Sequence, residues 1–135
     1  VKVRGLDGYE HNLQLKNRER PNCSKGHLYA RELLKDIFPS YMIYEEVTLP
    51  GSKINTSTHP LYADFLIPNI KIVVEIHGEQ HYTHSTFFHA SKTEFLKAKK
   101  RDKTKKEWCE LNNFSFIELK HDEQDRWREA IINGI

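Results

Sequence analysis

The sequence predicts an α/β fold with one central sheet, on three observations. Helical and strand periodicities follow the order helix, strand, strand, strand, helix, strand, helix. One segment, IKIVVEI at 70–76, is almost wholly apolar, as expected of a central strand covered on both faces. The chain has 135 residues and 38% hydrophobic side chains, which suits a single domain with one modest core.

Residues 1–23 have no clean period and read as an N-terminal extension or arm, with Asp7-Gly8 as a hairpin turn. The domain proper is expected over 24–135. Ser24 is suited to cap a helix ending before Pro39, whose Ala30, Leu33, Leu34, Ile37 and Phe38 share one face. YMIYEEVTLPG is rich in β-branched and aromatic residues and closes on Pro50-Gly51, the pattern of a strand. SKINTSTHP is a polar loop, and LYADFLIPNIKIVVEIHG reads as two strands around a turn at Pro68-Asn69. After an irregular connection, a helix is expected from Thr93 to Asn112, then a strand at 114–119. A last amphipathic helix carries Trp127, Ala130 and Ile131.

The net charge of +2 averages over unequal blocks. Residues 16–31 hold five basic side chains and one acid, and residues 92–106 hold eight basic and two acidic. The segment between them holds seven acids against three bases, and so does 107–135. Basic blocks around an acidic middle suit a polyphosphate partner together with a cation, although a lysine-rich run also serves as a solvated helix face. No apolar run approaches the ~20 residues of a membrane helix. Two cysteines outside any CxxC pair make no disulfide framework, so a reducing, intracellular setting (cytoplasm or nucleoid) is expected. The chain opens on Val1 rather than Met, which fits a processed or excised segment of a longer chain.

Asp64 and Glu75 are the informative residues, because each interrupts an apolar strand. An unpartnered carboxylate there costs several kcal/mol, so something must neutralise it. A two-residue turn at Pro68-Asn69 would set Asp64 roughly opposite Val73, one pleat position from being level with Glu75. Two carboxylates on neighbouring strands can share a divalent cation such as Mg²⁺; a salt bridge to a helix Lys or Arg is the alternative. His77, two residues after Glu75, points to the same strand face and adds an acid–base group or ligand.

This pattern, Asp64-x10-Glu75-x-His77 in the strand order above, resembles the PD-(D/E)XK nuclease superfamily. ADFLIPNIKIVVEIHGEQHY and RDKTKKEWCELNNFSFIEL are most similar to its very-short-patch-repair-like branch and the homing-endonuclease relatives of that branch. The resemblance covers most of 24–119 and implies a restriction-endonuclease-like domain, a mixed sheet flanked by helices in the order αβββαβ, with the C-terminal helix following. It implies an endodeoxyribonuclease in which Asp64 and Glu75 hold Mg²⁺, with Mn²⁺ able to substitute. His77 stands at the motif's lysine position. His81 matches the histidine that ends the branch's motif and would contact the scissile phosphate or act as base. SKGH places His27 where that branch has glutamate; Glu32 is the other first-helix contributor, and the helical wheel favours His27 as the inward residue.

On the next helix Phe95, Ala98, Asp102, Lys105, Cys109 and Asn112 share a face expected against the sheet. Lys105 is then either an i,i+3 partner of Asp102 or the positive charge missing from the motif. Lys97, Lys99, Lys100, Arg101, Lys103 and Lys106, with Arg18 and Arg20 from the first basic block, are candidate DNA contacts. A homodimer or an additional DNA-binding domain would complete the partner list. Two other functions compete: a non-catalytic nucleic-acid-binding module, and a zinc protein using His77, His81, His84 and His89, for which no CxxC or HExxH pattern exists.

Overall fold

The structure, a computed structural model, describes residues 1–16, 19–52, 60–77 and 89–135, without the side chains of 89–92, 94 and 95. Its elements run β1 (Lys2–Arg4), β2 (Glu10–Asn12), α1 (Lys25–Ile37), β3 (Tyr44–Leu49), β4 (Leu61–Ile67), β5 (Ile72–His77), α2 (His89–Leu111), β6 (Ser115–Lys120) and α3 (Trp127–Asn133). A short 3₁₀ turn over Gln124–Arg126 leads into α3. The α/β reading of the sequence holds at this level: a mixed four-stranded sheet in the order β3-β4-β5-β6, and a separate antiparallel pair, β1-β2, with helices alongside.

Local chemistry explains the boundaries. Ser24 caps α1 by accepting a hydrogen bond from the His27 amide at 3.1 Å. α2 stops where Asn113 takes a left-handed conformation (φ 60), and the Phe114 amide returns to the Cys109 carbonyl at 2.8 Å. The chain then enters β6, which pairs parallel to β5, whereas β3-β4 and β4-β5 are antiparallel. A parallel neighbour requires a long crossover, and α2 supplies it.

Two apolar cores lie on the two faces of the sheet. α1 and α3 bring Ala30, Leu33, Leu34, Trp127 and Ile131 onto Phe65, Ile67, Ile72, Val74, Ile117 and Leu119. α2 and the β1-β2 hairpin bring Trp108, Cys109, Val3 and Leu13 onto Val47, Leu49, Ala63, Leu66 and Val73. The first 23 residues therefore contribute side chains to the second core, and Asn112 ties the hairpin to α2 through both the amide and the carbonyl of Arg4 (2.7 and 2.8 Å).

The β3-β4 ribbon changes face part-way along. Glu45 and its partner Phe65 contact the α1 side, whereas Val47 and its partner Ala63 join the second core. Residues two apart on a regular strand share a face, so the strand must break its pleat between them. Glu46, at φ 51, is that break; the left-handed region is one that residues other than glycine seldom enter.

Behind the sheet, Glu45 is fully buried. It accepts hydrogen bonds from the Arg20 amide (2.9 Å), His27 Nε2 (2.7 Å), Arg31 Nε (2.7 Å) and Arg31 Nη2 (2.9 Å). Burial opposes ionisation of this carboxyl, but Arg31, the Arg20 amide and His27 outweigh it and hold its pKa below the ordinary value. Arg31 is correspondingly raised, first through its bonds to Glu45. Removing one member of a buried ion pair strands the other, at a cost of about 3–5 kcal/mol. Glu45→Ala should lower unfolding stability by that order in urea titrations. A loss below about 1 kcal/mol would show that the cluster does not hold α1 to the sheet.

Candidate active site

The β4-β5 turn sets the geometry of the candidate site. It spans four residues, Pro68 to Lys71, with Lys71 at φ 50 and its amide directed at the Pro68 carbonyl (3.3 Å). The observed register pairs Phe65 with Val74, Leu66 with Val73 and Ile67 with Ile72. This corrects the expected register, which assumed two turn residues and set Asp64 opposite Val73. Two further turn residues bring Asp64 level with Glu75.

The paired residues end at Phe65 and Val74, just before the two acids. From there side chains bridge the strands: the Asp64 amide donates to Glu75 Oε2 at 2.5 Å, and the Ile76 amide donates to Asp64 Oδ2 at 2.9 Å. The same row extends across the sheet. Glu46 lies level with Asp64, between the pairs Glu45–Phe65 and Val47–Ala63, and Glu118 pairs directly with Glu75. One acid from each of the four strands thus falls on one transverse line. Glu118 was not singled out in the sequence, because its alignment depends on a parallel pairing that no local pattern encodes.

Glu75 is 3% exposed and Asp64 is partly buried. Lys105, on the face of α2 turned to the sheet, places Nζ 2.5 Å from Glu75 Oε1. Its partner is therefore the strand glutamate, the salt bridge the sequence allowed as an alternative to a bound cation. One ammonium does not balance two carboxylates. Burial first, and the charge of Asp64 second, push the Glu75 pKa up to about 7 against the pull of Lys105. Burial and the nearby Glu75 also push the Cys109 thiol up to about 12, which leaves Cys109 as packing.

His77 is buried at the end of β5. Its Nε2 lies 3.5 Å from Asp102 Oδ1 and its Nδ1 3.5 Å from Glu118 Oε2. Glu118 also receives Lys106 Nζ at 2.5 Å. Asp102 is buried as expected of the inward face of α2, whereas Lys97, Lys99, Lys100, Lys103 and Lys106 are exposed and Arg101 is half-buried.

Other sequence candidates fall elsewhere. His27 is buried as expected, but it stacks on Phe65 at 4.4 Å and bonds Glu45 on the α1 side, away from the α2 side on which Lys105 meets Glu75. Glu32 is exposed on α1. Arg20 directs Nε at Glu46 (3.5 Å). Arg18, His81 and His84 lie outside the described residues, as does the side chain of His89, so the proposed zinc cluster is represented only by His77. Among the described residues, no group of three or more His, Cys, Asp or Glu side chains is arranged to hold a metal ion. Among them, too, no helix is long and apolar enough to cross a membrane.

No family model matches the chain, and no solved structure matches it. It is similar to two curated proteins. One is uncharacterized protein 307L of Invertebrate iridescent virus 6, 35% identical over 65 residues, covering 48% of this chain and 33% of the relative. The other is uncharacterized protein 033L of Invertebrate iridescent virus 3, 34% identical over 101 residues, covering 71% of this chain and 48% of the relative. The matched regions thus span from a third to about half of these relatives' length.

The raised Glu75 pKa has a signed consequence for stability. The unfolded carboxyl releases its proton near its ordinary value of 4.5, the folded one near 7. Between these values the folded state binds more protons, so the Glu75 contribution to stability falls as pH rises and is level above the window. Glu75→Gln cannot titrate. In urea titrations with a chelator present, its stability relative to the unaltered chain should improve from about pH 5 to about pH 7.5. A difference that stays constant with pH would show that Glu75 is not destabilised by ionising.

Proposed function

We propose that this chain is a metal-dependent nuclease domain that hydrolyses phosphodiester bonds in DNA. The observation that carries the reading is the level pair Asp64 and Glu75, joined across two strands and short of positive charge, beside a lysine-bearing helix. The resemblance of the surrounding motifs to PD-(D/E)XK nucleases supplies the reaction class and the preference for DNA. The restriction-endonuclease-like form of the fold belongs to the same proposal.

The donor set fits the metal that this reading implies. Two carboxylates on adjacent strands offer hard oxygen ligands, and a further positive charge beside Glu75 would ease its ionisation against burial and Asp64, which supports this reading. Asp64 and Glu75 would hold Mg²⁺ or Mn²⁺, with His81 a further candidate contact. When bound, the cation supplies charge at the phosphate and lowers the pKa of a coordinated water.

The remaining work falls to side chains. His77 or His81 would accept a proton from the attacking water; at His77 one ring nitrogen donates to a flanking carboxylate, Asp102 or Glu118, and only the other, left unprotonated, can take the proton. Lys105 keeps a fixed positive charge beside Glu75 and stabilises the charge that develops on the phosphate oxygens. The water oxygen bonds to phosphorus as the bond to the 3′-oxygen breaks, and that oxygen leaves as a 3′-hydroxyl, taking its proton from solvent. Lysines on the exposed side of α2 hold the strand by its phosphates.

A second reading rests on the Lys105–Glu75 ion pair itself. If that pair is the complete neutralisation of the buried acid, the domain binds nucleic acid through α2 without cutting it. Incubation of the purified chain with supercoiled plasmid and Mg²⁺ or Mn²⁺ separates the two. Nicking or linearisation is expected, and Asp64→Asn or Glu75→Gln should reduce it by more than the ~10–100-fold typical of losing an outer partner of a metal. Cutting undiminished in both variants would overturn the site. Retarded mobility without cutting would establish the binding module, and stoichiometric zinc would point to the histidines at 77–89.

A further inference from the structure

A cleft opens between α2 and the ends of β5 and β6, lined by His77, Lys99, Asp102, Lys103, Lys106 and Glu118. We propose that it is a subsite for a single phosphate group, the neighbour along the strand of the phosphate that meets Asp64 and Glu75. This deepens the nuclease reading and rests on it.

Size suits a small anion. The cleft offers about 180 Å³, ample for a phosphate and its hydration.

Charge and spacing argue for an anion. Lys99, Lys103 and Lys106 lie four and three residues apart, on successive turns of one α2 face, and all three border the cleft. Lys106 is also held in place, between Glu118 at 2.5 Å and the ring of Phe116 at 5.8 Å. Three lysines outnumber the two acids of the lining, and those acids are engaged with His77 and Lys106.

Position argues for a neighbouring phosphate. Glu118 in the cleft is paired with Glu75 across one strand spacing, ~4.8 Å, so the cleft adjoins the acid pair. His77, two residues beyond Glu75 on β5, forms part of the cleft wall. An anion seated there would fix the direction in which a strand crosses the acids.

Convergence on one phosphate can be told from scattered surface contacts by the salt dependence of binding. On single-stranded DNA each neutralised phosphate contributes about 0.7 to the slope of log affinity against log salt. A fluorescent single-stranded oligonucleotide, titrated in chelator at several salt concentrations, reads this slope without cleavage. Lys103→Ala alone should weaken binding several-fold with little change of slope. The triple variant Lys99→Ala, Lys103→Ala, Lys106→Ala should lower the slope by about 0.7, one phosphate. Glu118→Gln, which removes an anion from the cleft, should tighten binding. A slope that falls by about 0.7 for each lysine, near 2 in all, or one that does not fall, overturns the subsite. Circular dichroism of each variant verifies folding. Parallel assays with Mg²⁺ keep the two ideas apart: a one-phosphate slope without cutting removes the nuclease reading and leaves the subsite, and cutting with additive slopes does the reverse.

Discussion

A carboxylate at the centre of a sheet is tolerated only in company, and the company Glu75 keeps organises much of this molecule. Its side chain accepts the amide of the neighbouring strand, where paired residues give way, and takes an ammonium from the crossover helix. Those two contacts join β4, β5 and α2 at one point. The Asp64 carboxylate closes the other half of the gap through the Ile76 amide. Strand separation, helix placement and charge are thus tied to the same few atoms.

The sheet carries a second buried glutamate, and the comparison is informative. Glu45, like Glu75, is closed to solvent, but it has an arginine, a histidine and a backbone amide directed at its oxygens. Its carboxyl pKa falls below the ordinary value, whereas that of Glu75 rises well above it. The difference lies in both depth and partners: burial is the first cause of the Glu75 rise, whereas at Glu45 the arginine, the amide and the histidine outweigh it. Glu45 is a completed knot between α1 and β3. Glu75 is left wanting charge beside a like-charged neighbour, the condition in which a buried acid is suited to bind something rather than only to hold the fold.

Much of this was legible in the residues. Periodicity located the elements because each buries one face, and Ser24, Pro39 and the Pro50-Gly51 pair marked boundaries whose causes are local. Asp64, Glu75 and His77 stood out because polar groups inside apolar strands demand explanation. What remained hidden was non-local. The level placement of Asp64 and Glu75 depended on a turn whose end is set by Lys71 in a conformation that lysine seldom adopts. Glu118 entered through a parallel pairing made across a 23-residue helix. His27 was correctly inward, but inward meant the opposite face of the sheet, where Glu45 claims it. The face change at Glu46 had no signature in its own side chain.

The four-residue turn between β4 and β5 contacts neither acid, yet it decides whether they meet. Side chains alternate between faces along a strand, so a slip of one residue would carry Asp64 to the α1 side and leave Glu75 alone with Lys105. The heritable unit of this site is therefore longer than its chemistry. A change at Pro68–Lys71 that slipped the register by one residue would separate the acid pair as completely as replacing it, with both acids still in the sequence. Comparisons among divergent copies would then recognise the site by the distance separating two acids as much as by the acids themselves.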